Sequence, residues 1–227
     1  MKKIFNLAIC IPSLHTWPTH FALSLQILMM EMSRVKVPGY DDTGVMVFNK
    51  ISSLLCQSRY LLVKDALEKK ASHILFVDSD QTFPGALVHC LARHQKEFVA
   101  CNVATKDPEN CLPTARSKST TWWGGDPVYT TPQSKGLEQV WRIGFGVALI
   151  ATSLFKKVSE PWFNTLWLSE EKTFVGEDWF FCQEAERAGV PLYIDHDASK
   201  RVGHLGQYSY EHSNVVVPDR PKLEIAK

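Results

Sequence analysis

The chain has 227 residues, 45% of them hydrophobic, enough for a sizeable core and read here as one domain. Its 25 basic and 24 acidic residues leave a formal charge of +1, which excludes a global field for nucleic acid or an anionic membrane, so any polyanionic partner needs a local patch. Cys10, Cys56, Cys90, Cys101, Cys111 and Cys182 include no CxxC pair and point to a reducing compartment. No apolar run approaches the roughly 18 residues of a membrane span, so a soluble protein is expected.

Lys2 and Lys3 before a short apolar stretch imitate a signal peptide, and Leu7-Ala8-Ile9-Cys10 imitates a lipoprotein cleavage site. Asn6 and Pro12 interrupt the first, and Ile9 stands where the second needs a small residue, so both are read as a buried first strand over Asn6 to Pro12. A helix is predicted over 20–34 from Phe21, Leu23, Leu25, Ile27 and Leu28, and a strand at Val45 to Phe48 after the turn signals of 37–44. A long helix over 52–70 leads into His73-Ile74-Leu75-Phe76-Val77, a continuous apolar run suited to a central parallel strand. A helix at 86–94 and a strand at 98–103 complete an alternation that implies a doubly wound sheet.

From Ala104 to Gly136 the pattern dissolves into Pro, Gly, Ser, Thr and Lys around Trp122 and Trp123, a loop long enough to be functional or disordered. A strand-like stretch is predicted around Gly144-Phe145-Gly146, a helix near 153–159, a helix over 177–189 ended by Gly189, and a strand over 190–194.

The apolar run ends in Asp78-Ser79-Asp80. On an extended chain residues two apart share a side, so both carboxylates can face one volume at the edge where open α/β sheets bind ligands. A hard cation such as Mg²⁺ or Mn²⁺ would relieve their repulsion; an ordinary turn capped by aspartate is the plain alternative. Gly176-Glu177-Asp178 opens a helix, where the dipole alone favours acids. Adjacent helical residues point about 100° apart, so one of the two at most aims at a substrate, where it could accept a hydroxyl proton. His204, between Gly203 and Leu205-Gly206, reads alone as a turn residue, or as an imidazole completing a Mn²⁺ shell.

Taken in order, Ala8-Ile9-Cys10-Ile11-Pro12, Ser58-Arg59, His73 to Asp80, Gly144-Phe145-Gly146, Gly176-Glu177-Asp178 and Gly203-His204 resemble the GT-A glycosyltransferase superfamily, near its family-two-like, soluble phage and bacterial members. The resemblance spans about residues 5 to 206. It implies an α/β, Rossmann-like single domain over 1–215, with a mostly parallel central sheet flanked by helices. A nucleotide-sugar half would cover about 1–103 and an acceptor half 104–215, with a tail at 216–227.

It further implies Asp78 and Asp80 on metal and donor, with Ser79 between them, and His204 on the metal. Asp178 would be the catalytic base with Glu177 beside it. Pro12 and Ser13 would line the nucleotide pocket with Arg59 near the donor, most simply a UDP-sugar. Independently of the resemblance, positive charge and flat aromatic faces at Arg116, Lys118, Trp122 and Trp123 within 106–136 point to acceptor contacts there, with Gly144 added to the set; tryptophans that plug the core are the plain alternative. The setting implied is cytoplasmic, in a bacterium or a phage-infected cell, with acceptors that include hydroxymethylated pyrimidines in phage DNA. Asn49-Lys50 occupies the place of the acid that often meets the ribose, and the QxxRW signature and membrane helices of processive members are absent, so one sugar per transfer is expected. A nucleotidyltransferase and a non-catalytic sugar- or nucleic-acid-binding module are the competing readings; the first normally shows a glycine-rich basic loop where Ser13-Leu14-His15-Thr16-Trp17 stands.

Overall fold

Alternation in the first strand sets the layers. In β1 (Ile4–Ser13), Phe5, Leu7, Ile9 and Ile11 are buried on one face and Ala8 and Cys10 on the other, as the two-residue period of a strand requires. The computed structural model describes residues 2–107, 110–119, 124–206 and 209–215. β1 is followed by α1 (Thr19–Arg34), β2 (Asp42–Ile51), α2 (Leu55–Glu68), β3 (His73–Val77), the short β4 (Gln81–Thr82), α3 (Leu87–Ala92) and β5 (Phe98–Ala100). Then come β6 (Arg116–Ser117), β7 (Asp126–Pro127), β8 (Leu137–Val140), β9 (Val147–Ala151) and a 3-10 turn at Thr152–Lys156. The chain continues through β10 (Leu166–Leu168), β11 (Thr173–Val175), α4 (Glu177–Arg187), β12 (Leu192–Asp195), α5 (His196–Ser199), β13 (Gly203–Leu205) and β14 (Ser209–Tyr210).

The central sheet has seven strands in the order β2-β1-β3-β9-β5-β12-β8. β2, β1, β3, β5 and β12 run one way, while β9 and β8 run against them, so the sheet is mostly parallel. One face packs on α2 and α4 through Leu62, Val63, Ala66, Phe181, Cys182 and Ala185. The other packs on α1, α3 and α5 through Phe21, Leu25, Leu28, Leu87, Leu91 and Ala198. Each such Val, Leu or Phe side chain contributes about 1.5–3 kcal/mol against the entropy of ordering the chain, and each Ala less. Strands from 137–195 pair directly with those from 4–100, β9 lying between β3 and β5. The expected tail at 216–227 lies outside the described residues.

Two predicted elements differ. Gly144-Phe145-Gly146 is the connection between β8 and β9 rather than a strand. Its neighbourhood bonds outside the ladder: the Trp141 and Arg142 N–H groups donate to the Arg116 carbonyl, and the Gly146 carbonyl accepts from Asp78. The helix expected at 153–159 is the 3-10 turn at Thr152–Lys156. The β10–β11 hairpin had no prediction at all.

Candidate active site

The parallel strands β1, β2 and β3 end along one edge of the sheet, beside the start of β9. The Asp78 N–H donates to the Gly146 carbonyl at 3.0 Å, pinning the end of β3, and the Gln81 N–H closes a tight turn onto the Asp78 carbonyl at 3.0 Å. Asp78 and Asp80 therefore lie on a turn rather than on an extended chain, yet their carboxylates serve side chains. Asp78 Oδ1 accepts from Arg59 Nη2 at 2.9 Å, and Asp80 Oδ2 accepts from Lys106 Nζ at 2.6 Å.

Arg59 joins the two acidic motifs. It projects from α2, is fully buried, and its Nε donates to Glu177 Oε1 at 2.9 Å. The guanidinium also lies 5.2 Å from the Phe76 ring centroid and 5.7 Å from that of Phe145. A planar fork with fixed donors can hold two carboxylates from distant elements at once in a set geometry, where a lysine offers only a rotatable point charge. Through it the end of β3 is tied to the first turn of α4. Glu177 thus turns inward onto Arg59 while Asp178, about 100° round the helix, is left half-buried.

Desolvation is the main cause that pushes the Asp178 carboxyl up to about 7, with Glu177 and Asp78 adding to it and Arg59 opposing. Burial also raises Asp78, helped by Asp80 and Glu177 against the pull of Arg59. Because Asp178 binds its proton more tightly folded than unfolded, the fold loses stability as pH rises from about 4 to about 7. Asp178→Asn is expected to be more stable than the parent at pH 8 by about 2 kcal/mol, allowing for partial exposure, and equal to it near pH 4. Urea unfolding at the two pH values checks this; an equal difference at both refutes the assignment.

Asp80 is pulled the other way. Burial raises it, but the hydrogen bonds and charges of His204 and Lys106 outweigh this and hold it well below the usual carboxylate range. His204 Nε2 lies 3.4 Å from Asp80 Oδ2, and its Nδ1 donates to the Ala104 carbonyl at 2.8 Å. With Nδ1–H fixed in this way, loss of the Nε2 proton would turn a lone pair toward a cation on Asp80, as metal-binding histidines are held. The pair fits a hard cation that takes few protein ligands and fills its shell from phosphate and water. Asp78 is engaged by Arg59, however, and among the described residues no group of three or more His, Cys, Asp or Glu gathers as a metal cluster. A cation here would rest on Asp80 and His204, with Lys106 displaced.

Pro12, Ser13 and Ser79 line a cavity of about 280 Å³ together with Ser52, Asp78 and Asp80. Ser13 Oγ donates to Asn49 Oδ1 at 2.6 Å, so Asn49 shapes this wall. A larger cavity of about 370 Å³, lined by Lys3, Phe5, His73 and Thr152, lies at the opposite edge; ligands of open α/β sheets sit at the carboxyl ends of the strands.

Of the expected acceptor residues, Arg116, Lys118 and Gly144 lie within the described residues, and Arg116 and Gly144 are closely packed. Arg116 is buried, its Nη1 donating to the Pro113 and Ala115 carbonyls. Gly144 is packed so closely that a Cβ there would lie 3.1 Å from Thr114 Cβ. Trp122 and Trp123 lie outside the described residues. Sequence reasoning missed Lys106, whose place on Asp80 depends on how the chain folds back after β5. It also missed Arg142, whose guanidinium lies 3.9 Å from the Trp141 centroid and 4.9 Å from that of Trp179, bracing the start of α4.

The architecture is the expected α/β one, a mostly parallel central sheet with helices on both faces. The chain shares its fold with A197 from STIV. The crystal structure of that protein matches with a TM-score of 0.58 over 98% of this chain and 97% of that one, at 13% identity. S. aureus TarS 1-349 in complex with UDP-GlcNAc matches with a TM-score of 0.49 over 93% of this chain and 62% of that one, at 12% identity. No protein-family model and no curated protein matches the sequence. Among the described residues no helix is long and apolar enough to cross a membrane.

Proposed function

We propose that the chain is a metal-dependent GT-A glycosyltransferase that moves a single sugar from a nucleotide-diphosphate sugar, in the first instance a UDP-sugar, to a hydroxyl acceptor. The observation that carries this reading is the Asp178 carboxyl, raised to about 7 and held by the Arg59 bridge at the strand edge where Asp80 and His204 meet. A base whose pKa lies near the working pH is well matched to taking a proton from a hydroxyl.

In this reading Asp178 accepts the acceptor proton at its free carboxylate oxygen. Glu177 and Arg59 do not touch substrate; they set the position of Asp178 relative to the Asp78–Asp80 turn. Pro12, Ser13 and Ser79 form the wall against which the nucleotide lies, and Lys106 leaves Asp80 for the donor phosphates. Bound at Asp80 and His204, Mn²⁺ or Mg²⁺ would offset the negative charge that builds on the leaving diphosphate. The six free cysteines suit a cytoplasmic setting.

The test is to incubate the protein with Mn²⁺ and a panel of nucleotide sugars. Release of a nucleoside diphosphate supports glycosyl transfer; release of pyrophosphate from a parallel incubation with nucleoside triphosphates and sugar 1-phosphates supports a nucleotidyltransferase; and no turnover in either supports a binding module. Acceptors, with duplex DNA carrying hydroxymethylated pyrimidines among them, are then screened by mass spectrometry. Asp80→Ala is expected to remove the Mn²⁺-dependent part of donor affinity by calorimetry with the fold retained; unchanged Mn²⁺-dependent affinity would exclude Asp80 from the cation site.

A further inference from the structure

The β10–β11 hairpin turns its aromatic residues the unexpected way. Leu166, Leu168, Thr173 and Val175 form its inward face, with Val175 buried. On the outward face Trp167 pairs with Phe174 across the ladder, ring centroids 4.9 Å apart at 59°. These two are 51% and 69% exposed. A two-stranded ribbon in water ordinarily carries polar residues there, and exposing two large aromatics forgoes about 1.5–3 kcal/mol of burial each.

Their position is informative. Phe174 precedes Asp178 by four residues, so their Cα atoms are at most about 14 Å apart even fully extended. The second strand of the hairpin therefore holds Phe174, and through the ladder Trp167, within about the span of two or three sugar rings of the candidate base. The hairpin tip carries Glu170, Glu171 and Lys172, all exposed, a local charge of −1 that repels phosphates.

We infer that Trp167 and Phe174 form a platform for a neutral saccharide, the ring of the acceptor that presents its hydroxyl to Asp178. Size and charge select this ligand. Two aromatic side chains bury about 150–250 Å² each, well short of the ~800 Å² per partner of a stable protein interface and matched to one or two sugar rings. The C–H face of a pyranose packs on the electron-rich ring faces while its hydroxyls stay at the rim in water. A nucleic acid would bring its phosphates against Glu170 and Glu171, with Lys172 alone in the tip to offset them. The inference rests on the transferase reading only for the role of Asp178.

The experiment places parent protein and the Trp167→Ala/Phe174→Ala variant on an array of immobilised neutral oligosaccharides. The same samples are titrated with duplex DNA containing 5-hydroxymethylcytosine, sedimented across a range of concentrations, and melted. The parent is expected to be retained by at least one oligosaccharide series. The variant should bind it at least about tenfold more weakly, equivalent to ~1.4 kcal/mol, with its melting temperature unchanged. Retention of no saccharide by the parent overturns the proposal, as does equal retention of both proteins. So does a concentration-dependent dimer that the variant abolishes, or DNA binding that requires the pair. Nucleotide-sugar hydrolysis by the parent is scored separately. Turnover without saccharide binding rejects the platform and keeps the transferase; pair-dependent saccharide binding without turnover of any donor does the reverse.

Discussion

Asp178→Asn is expected to lower sugar transfer by about 10²–10⁴-fold, the usual range for removing a positioned general base, while donor affinity changes little. The substitution keeps the size of the side chain and the oxygen that accepts from the Trp179 N–H at 2.7 Å, so the start of α4 is undisturbed. In the parent, the base works only as the carboxylate. With its carboxyl pushed up to about 7, transfer under limiting acceptor should rise tenfold per pH unit below that value and level off above it. The residual rate of the Asn variant should show no such limb. Glu177→Gln provides the contrast, because Glu177 meets Arg59 rather than the open side of the site. If Glu177→Gln is the inactive protein, at unchanged melting temperature, and Asp178→Asn remains active, the two roles are reversed.

How far the site could be read from sequence depended on the range of the interactions. The His73 to Val77 run is apolar on both faces and becomes a central strand buried by helices on either side, so its nature and the edge where Asp78 falls were visible locally. The fate of each carboxylate was not. Asp78 and Asp80 both follow one strand, but a tight turn and two partners, Arg59 and Lys106, send them to different neighbours. Arg59 shares the i, i+3, i+4, i+7 face of its helix with Leu62, Val63 and Ala66, so its burial was legible; its partner Glu177, 118 residues away, was not. The hairpin at 166–175 was illegible for the opposite reason. Its strands are three residues each, too short for a period to register, and aromatics on the outer face resemble core residues.

The largest effect on stability is expected at Arg59. In Arg59→Met the side chain keeps much of its length and its contact with Phe76 and Phe145, but Asp78 and Glu177 lose the charge that faces both. Breaking a buried pair by removing one partner costs about 3–5 kcal/mol, since the remaining charge has neither water nor counter-ion. For a chain of this size that corresponds to a fall of about 6–20 °C in melting temperature. Two further measurements show whether unpaired charge is the cause. First, the loss should shrink on acidification: Arg59 is what opposes the upward push of burial on Asp78, so without it that carboxyl takes up a proton more readily in the folded state and the deficit at pH 7 narrows by pH 4 to 5. Second, Arg59→Met combined with Asp78→Asn and Glu177→Gln should recover a large part of the stability, because a neutral buried cluster is far less costly than an unpaired ionised one. A deficit independent of pH and untouched by the two amide substitutions would mean that Arg59 acts by packing between the aromatic rings, and that the tie between the β3 turn and α4 is made by the core around it.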